Sequence, residues 1–355
     1  AILVEREEAI KKFVPKNYWE LHATFTTNGH SYKGKWFDEK FTKSKESSEA
    51  RAERIWNLAN AEAIKLKCLG KLGTASEESK PTKETCPLLY DLTSLQREAN
   101  SRFGLSAKST LGLAQALYEK HKVLTYPRTD SRALPEDYLD TVKETLQSFS
   151  DSPYREFASQ VLRSDWVKPN KRIFNNSKIS DHFAIIPTSL EPKKLNEAEL
   201  KLYDLVTKRF LAIFYPSAEY LITTRITRVE DETFKTEGKI MVNPGWQIVY
   251  GKSNPNPDSD QENSTLAAIN PNSPVKTEEI DTIANQTRPP ARFNESTLLS
   301  AMEGAGKLVE DEELRAAMSS KGLGTPATRA AIIEGLVSEN YLLREGRELL
   351  PTAKA

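Results

Sequence analysis

One segment of this 355-residue sequence gathers reactive side chains at a spacing suited to attack on a phosphate: Leu124-Thr125-Tyr126-Pro127-Arg128-Thr129-Asp130-Ser131. Pro127 has a fixed φ and pushes the residue before it out of the helical region, so Tyr126 is expected to be extended. In extended backbone residues i and i+2 project to the same side, so Tyr126 and Arg128 should face one target. A phenol of pKa about 10 is a weak nucleophile at neutral pH unless its phenolate is stabilised. An adjacent guanidinium supplies that stabilisation and can also grip a phosphate oxygen bidentately. Between positions 92 and 132, seven basic residues (Arg97, Arg102, Lys108, Lys120, Lys122, Arg128, Arg132) stand against three acidic ones (Glu98, Glu119, Asp130). Such a local excess suits a polyanion. Taken alone, the same residues also fit a core tyrosine beside a proline turn with a surface arginine.

Two helices must carry this segment. Residues 91–103 open with Asp91 and stop at Gly104, and Ser106 caps 107–121, where Leu113, Ala114, Leu117 and Tyr118 share a stripe. Further helices are expected at 136–149, 196–214, 294–303, 310–319 and 326–338, and residues 5–10 read as the second half of another. Period-two patterning over 18–25, the turn Asn28-Gly29 and the return over 31–37 predict a hairpin. Residues 47–61 have helical spacing, 63–69 look like a strand, and 70–87 read as a polar linker. Strand patterning resumes at 218–229, 233–242 and 245–250, followed by an Asn/Pro/Ser-rich surface loop over 253–274. The order strands, helices, strands, helices is best explained by a β domain interrupted by an inserted helical domain.

Two other stretches carry candidate chemistry. In Gly322-Leu323-Gly324-Thr325-Pro326-Ala327-Thr328-Arg329, Thr325 is an N-cap and Pro326 the first helical residue. Exposed amides at such a helix start suit a phosphate, although an ordinary loop-to-helix junction has the same pattern. His182, ahead of Ala184-Ile185-Ile186-Pro187, would by its neighbours be a core histidine. The alternating carboxylates of Asp258-Ser259-Asp260-Gln261-Glu262 sit in the polar loop and are expected to be solvated rather than metal-binding.

Composition excludes several classes. The 50 basic and 50 acidic residues cancel, so only local charge can recruit nucleic acid. Cys68 and Cys86 lie outside any Cys-x-x-Cys pattern, which argues against a zinc site or a disulfide framework and for a reducing, cytoplasmic compartment. No apolar run reaches the roughly 18 residues of a membrane span.

The stretches Pro87-Leu88-Leu89-Tyr90-Asp91-Leu92-Thr93-Ser94-Leu95-Gln96-Arg97-Glu98-Ala99-Asn100, Gln115 to His121 and Thr125 to Ser131 closely resemble the type IA DNA topoisomerases, most of all the topoisomerase III branch. Val4-Glu5-Arg6-Glu7, Tyr18-Trp19-Glu20, Asp181 to Thr188, Pro289 to Phe293 and Gly322 to Arg329 fall in the family's order, so the resemblance spans essentially the whole chain.

The resemblance implies a multidomain α and β fold, a toroid with a β-rich arch (domain II, residues 14–86 and 216–286). Helical domain III (87–215) is inserted in the arch and carries the tyrosine, and domain IV (1–13 and 287–355) is helical and binds single-stranded DNA. It implies transient single-strand cleavage through a 5′-phosphotyrosine on Tyr126, passage of duplex or single-stranded DNA, and religation. Arg128 would neutralise the scissile phosphate, and His182 would bind it or assist proton transfer. Thr325, Thr328 and Arg329 would hold the strand upstream of the cut, with Arg97, Lys122 and Arg132 as further DNA contacts. The family's Mg2+ ligands lie in an N-terminal Toprim domain that would precede Ala1, so no metal is expected on this chain and little cleavage by it alone. A monomer with no membrane partner is expected.

Two other classes of tyrosine-dependent DNA enzyme do not fit. Recombinases need Arg…His-x-x-Arg…Tyr with the tyrosine last, and relaxases need a His-x-His cluster. Here Tyr126 precedes His182, and His22, His30, His121 and His182 are scattered. A DNA-binding scaffold without chemistry remains compatible with the sequence.

Overall fold

The computed structural model describes residues 1–42, 49–251, 266, 269–270, 273–305 and 322–355. The helix expected at 310–319, the carboxylates at 258–262 and most of the loop at 253–274 lie outside the described residues.

Strands β1 (Asn17–Thr27) and β2 (His30–Trp36) form a hairpin in which Thr27 faces His30. Asn28 and Gly29 between them both have positive φ (52° and 81°), as a two-residue primed turn requires. Strands β4 (Ala218–Val229) and β5 (Glu232–Asn243) repeat this device with Glu230 and Asp231 at φ 50° and 67°. With β3 (Leu72–Glu84) and β6 (Ser273–Gln286) they close a barrel in the order β1-β2-β5-β4-β3-β6. Its core is Leu21, Ala23, Phe25, Ala75, Val229, Phe234, Val275 and Ile280. Arg225 is also fully buried there, paired with Glu77 at 2.6 Å and lying 4.3 Å over the Tyr32 ring.

Four expectations are corrected in this region. The polar stretch 70–87 is mostly strand β3 rather than a linker, because it pairs with β4 from Thr74 to Glu84 and with β6 from Leu72 to Ala75. Of residues 63–69, expected as a strand, all but the C-cap Leu69 fall in helix α2 (Leu58–Cys68), which Asn57 caps by accepting from the Ala59 amide at 2.8 Å; Ala61 and Cys68, seven apart, share its buried face. The helical spacing read over 47–61 becomes helix only from Leu58. Residues 245–250 form a short 3-10 helix, not a strand. Gly245 has φ 48° and packs on the Pro216 and Ser217 carbonyls, where a β-carbon would clash.

Between β3 and β4 the chain builds helices α3 (Leu92–Phe103), α4 (Ala107–Glu119), α5 (Leu139–Gln147), α6 (Arg155–Arg163) and α7 (Glu197–Ala212). They share one core running from Cys86 to Val249. Asp91 and Ser94 cap α3 reciprocally, and Gly104, at φ 70°, ends it. Helix α1 (Ile2–Lys12) instead shares a core with α8 (Glu295–Glu303), α9 (Pro326–Ser338) and the hairpin β7 (Leu342–Glu345) and β8 (Glu348–Pro351), through Leu3, Leu299, Met302, Ile333 and Leu349. This C-terminal group sits against α3 and α4. The buried Glu295 carboxylate accepts from the Ala107 amide at the start of α4 at 2.6 Å, and Asn100 accepts from the Ser296 amide at 3.1 Å. Among the described residues no helix is long and apolar enough to cross a membrane.

Candidate functional site

The chain leaves α4 through Lys122 in the left-handed region (φ 58°), which turns residues 123–131 back across the helical core. Val123 and Leu124 are buried. Leu124 bridges Pro187 antiparallel, the Thr125 amide donates to the Ile186 carbonyl at 2.9 Å, and the Thr188 amide donates to the Val123 carbonyl at 3.0 Å. The Thr125 hydroxyl adds a second tie, donating to the Ala184 carbonyl (3.0 Å) and accepting from the Ile186 amide (2.9 Å). Past the reactive residues, the Thr129 hydroxyl donates to the His182 carbonyl at 2.8 Å, and the Thr129 carbonyl accepts from the Leu92 amide at 3.0 Å. Tyr126 and Arg128 thus sit on backbone pinned on both sides, the positioning that precise chemistry needs.

The Tyr126 ring lies between two others: His182 at 4.3 Å between centroids and Tyr118 edge-on at 5.4 Å. Arg128 donates from Nη2 to Oε1 of Gln115 at 3.3 Å. Gln115 and Tyr118 are three residues apart on α4 and so share a face. Both Tyr126 and Arg128 therefore lie over that one face, in agreement with the i, i+2 expectation. The core position that the apolar neighbours of His182 suggested is not observed. Its side chain is exposed, while Ala184, Ile185 and Ile186 are the buried residues.

Beside these residues opens a cleft of about 380 Å3 lined by Asp91, Arg128, Thr129, Asp130, Ser180, Asp181, His182, Glu303, Thr325, Pro326, Ala327 and Arg329. Residues from five separate stretches of the sequence meet here, among them the candidates Thr325 and Arg329 at the start of α9. The Thr325 amide donates to the Thr328 hydroxyl at 2.9 Å, which closes the capping box and leaves Thr328 at the surface. Arg329 is only 2% exposed, donating from Nη1 to the Thr93 hydroxyl (2.8 Å) and from Nε to the Leu323 carbonyl (3.2 Å). Burial lowers its pKa from the usual arginine value, against the opposing pull of Glu303 and Asp91. Arg132 pairs with Asp91 (2.8 Å) and Glu303 (3.7 Å), and Arg97 with Glu303 (3.6 Å). Lys122 stands apart: its side chain is exposed at the turn, and its carbonyl accepts from the Thr188 hydroxyl at 2.7 Å.

The cleft is thus mixed in charge where the sequence suggested a basic surface. Asp91 and Glu303 hold arginines in place, and only folding brings Glu303 to this wall. Tyr118 was visible on the α4 stripe as a packing residue, with no sign that it would meet Tyr126. Among the described residues no group of three or more His, Cys, Asp or Glu side chains could hold a metal ion.

A family model described as DNA topoisomerase matches residues 1–355. DNA topoisomerase 3 of Bacillus subtilis is 38% identical over the whole chain, which covers 48% of that protein, and DNA topoisomerase 3 of Bacillus licheniformis gives the same figures. The chain therefore spans about half the length of the curated relatives it matches. Full-length topoisomerase I from Thermotoga maritima shares the fold with a TM-score of 0.67 at 23% identity, over 99% of this chain and 52% of that one.

Proposed function

The chain belongs to the DNA topoisomerase family, and on that premise we propose that it carries the cleavage tyrosine of a type IA enzyme most like topoisomerase III. The Tyr126 Oη attacks the phosphorus of a single-strand phosphodiester. The Oη–P bond forms as the P–O3′ bond breaks, the phenol gives up its proton, and the departing 3′ oxygen takes one up. The resulting 5′-phosphotyrosine conserves the bond energy while a duplex or single strand passes, and the 3′ hydroxyl then reverses it. Arg128, two residues on, neutralises the phosphate as charge builds. His182, whose ring lies tilted 4.3 Å from the Tyr126 ring, is placed to bind the same phosphate or to move the proton.

The strand upstream of the cut lies along the start of α9, against Thr325, Thr328 and the Ala327 amide, with Arg329 lending charge from the cleft wall. Arg97, Lys122 and Arg132 add further phosphate contacts, Arg97 and Arg132 by exchanging Glu303 for the strand. The domain division is residues 1–13 and 287–355, 14–86 and 216–286, and 87–215, a reading supported by three hydrophobic cores that follow it except at Cys86 and Val249, which pack with 87–215, and Ala107, which packs with the terminal group. The protein acts as a cytoplasmic monomer. The family resemblance implies Mg2+. The described residues do not offer a donor set that fits it, and no step is routed through a metal on this chain.

The observation that carries the reading is the meeting of Tyr126, His182 and Arg128 at the edge of one cleft whose far wall is the α9 start. The test is unlinking of supercoiled or catenated plasmid by the protein at the full length of its relatives. Activity should vanish with Tyr126→Phe, and activity retained in that variant would overturn the reading.

A further inference from the structure

The sequence offers no run of aromatic residues for stacking bases, yet the barrel assembles a short one away from the tyrosine cleft. The start of β1 pairs with the end of β6 in the register Asn17↔Gln286, Tyr18↔Asn285 and Trp19↔Ala284. On the other edge of β1, Ile55 forms an antiparallel bridge with Trp19, the Trp19 amide donating at 2.8 Å and the Ile55 amide at 2.9 Å. Ile55 is buried, so its neighbours Arg54 and Trp56 project the other way. Trp56 packs on Tyr18 at 5.9 Å between centroids, and the Arg54 guanidinium lies 4.3 Å over the same Tyr18 ring. Trp56 nevertheless remains 43% exposed. The two chain ends are pinned below, where the Lys16 amide donates to the Thr287 hydroxyl and the Thr287 amide to the Lys16 carbonyl, each at 2.9 Å.

Next to this platform opens a cavity of about 830 Å3 lined by Asn17, Tyr18, Arg54, Asn285, Gln286 and Arg288, within the roughly 300–1,000 Å3 of ligand sites. Arg288 is exposed and makes no ion pair among the described residues. A part-exposed indole beside the cavity, side-chain amides of the kind that match base edges (the Gln286 amide donating to Asn17 Oδ1 at 3.2 Å), and an exposed guanidinium are the parts from which single-strand sites are built.

We propose that this cavity and the platform beside it form a second nucleic-acid contact, taking a stretch of single-stranded DNA with a base against Trp56 and a phosphate against Arg288. It rests on the reading of the chain as a DNA enzyme, and it adds a contact outside the Tyr126 cleft. Loss of one stacked base should weaken binding about five-fold or more. Loss of one phosphate contact should flatten the slope of log affinity against log salt by about 0.7.

The test uses the full chain with oligodeoxynucleotides carrying 5-iodouracil. Cross-linked peptides are identified by mass spectrometry, and affinity is measured by fluorescence anisotropy for Trp56→Ala, Trp56→Phe and Arg288→Glu. The expected result is a cross-link at Tyr18 or Trp56, affinity lost in Trp56→Ala and restored in Trp56→Phe, and weaker binding in Arg288→Glu. Arg288→Glu changes only an exposed side chain and guards against a folding artefact. Cross-links confined to residues 115–132 and 180–182, with affinity unchanged in all three variants, would overturn this inference and leave the Tyr126 reading standing. No binding and no cross-link anywhere would overturn both.

Discussion

Replacing Arg329 with alanine separates two roles this residue could play in the cleft. Its side chain is almost fully buried and ties the start of α9 to the Thr93 hydroxyl of α3. Removing it deletes a charge-assisted hydrogen bond worth about 1.5–3 kcal/mol and strands a buried hydroxyl. The expected local cost is about 2–3 kcal/mol. All five tryptophans (Trp19, Trp36, Trp56, Trp166, Trp246) lie outside α8 and α9, so fluorescence melts would miss the effect. Hydrogen exchange read by mass spectrometry on α9 peptides would not. Where reclosing is fast, that cost means roughly 30- to 160-fold faster exchange in α9. The α5 and α6 peptides should be unchanged. Arg329→Lys, which keeps the charge without the fork, should recover only part of the protection. If exchange in α9 were unaltered by Arg329→Ala while DNA affinity fell, the residue would be a strand contact alone and the bracing role would be refuted.

Other expectations follow from the same geometry. Arg128→Ala should slow single-turnover adduct formation by about 100-fold or more, as loss of a charge-stabilising donor does, with DNA affinity changed far less; an unaltered rate would remove Arg128 from the chemistry. Tyr118→Ala, which strips the edge-on ring from Tyr126, should reduce the same rate by roughly two- to tenfold, the worth of an aromatic pair. Tyr118→Phe should be near wild type, since the contact is through the ring. Burial pushes the Cys68 and Cys86 thiols up to about 12, so at pH 8.5 neither should react with iodoacetamide until urea exposes it. Rapid labelling of native protein would contradict that burial.

What the sequence made legible was local. The caps Asp91, Ser106 and Thr325-Pro326 each satisfy amides within one turn, and the Asn28-Gly29 turn closes its own hairpin. Strand β3 was illegible because it is rich in Ser, Thr, Lys and Glu, with most of its residues exposed. Its partners, β4 and β6, lie about 145 and 200 residues further along the chain. Helix α2 was misread because a seven-residue window of alternating Ala, Ile, Leu and Lys does not distinguish the two periods. In the site, the shared direction of Tyr126 and Arg128 could be read from their spacing. The ring contact between Tyr126 and His182 depends on the pairing of residues 123–129 with 182–188. The pairing of Arg132 and Arg97 with Glu303 depends on the packing of α8 against α3. Neither is recorded in local pattern.

The most direct test of the account is to incubate the protein, at the full length of its relatives, with end-labelled single-stranded DNA and Mg2+, quench with denaturant, and map any nucleotide-bearing peptide by mass spectrometry. The account predicts a covalent adduct through a 5′ phosphate on Tyr126, absent in Tyr126→Phe. An adduct on another residue, or none from a folded protein that binds the DNA, would contradict it.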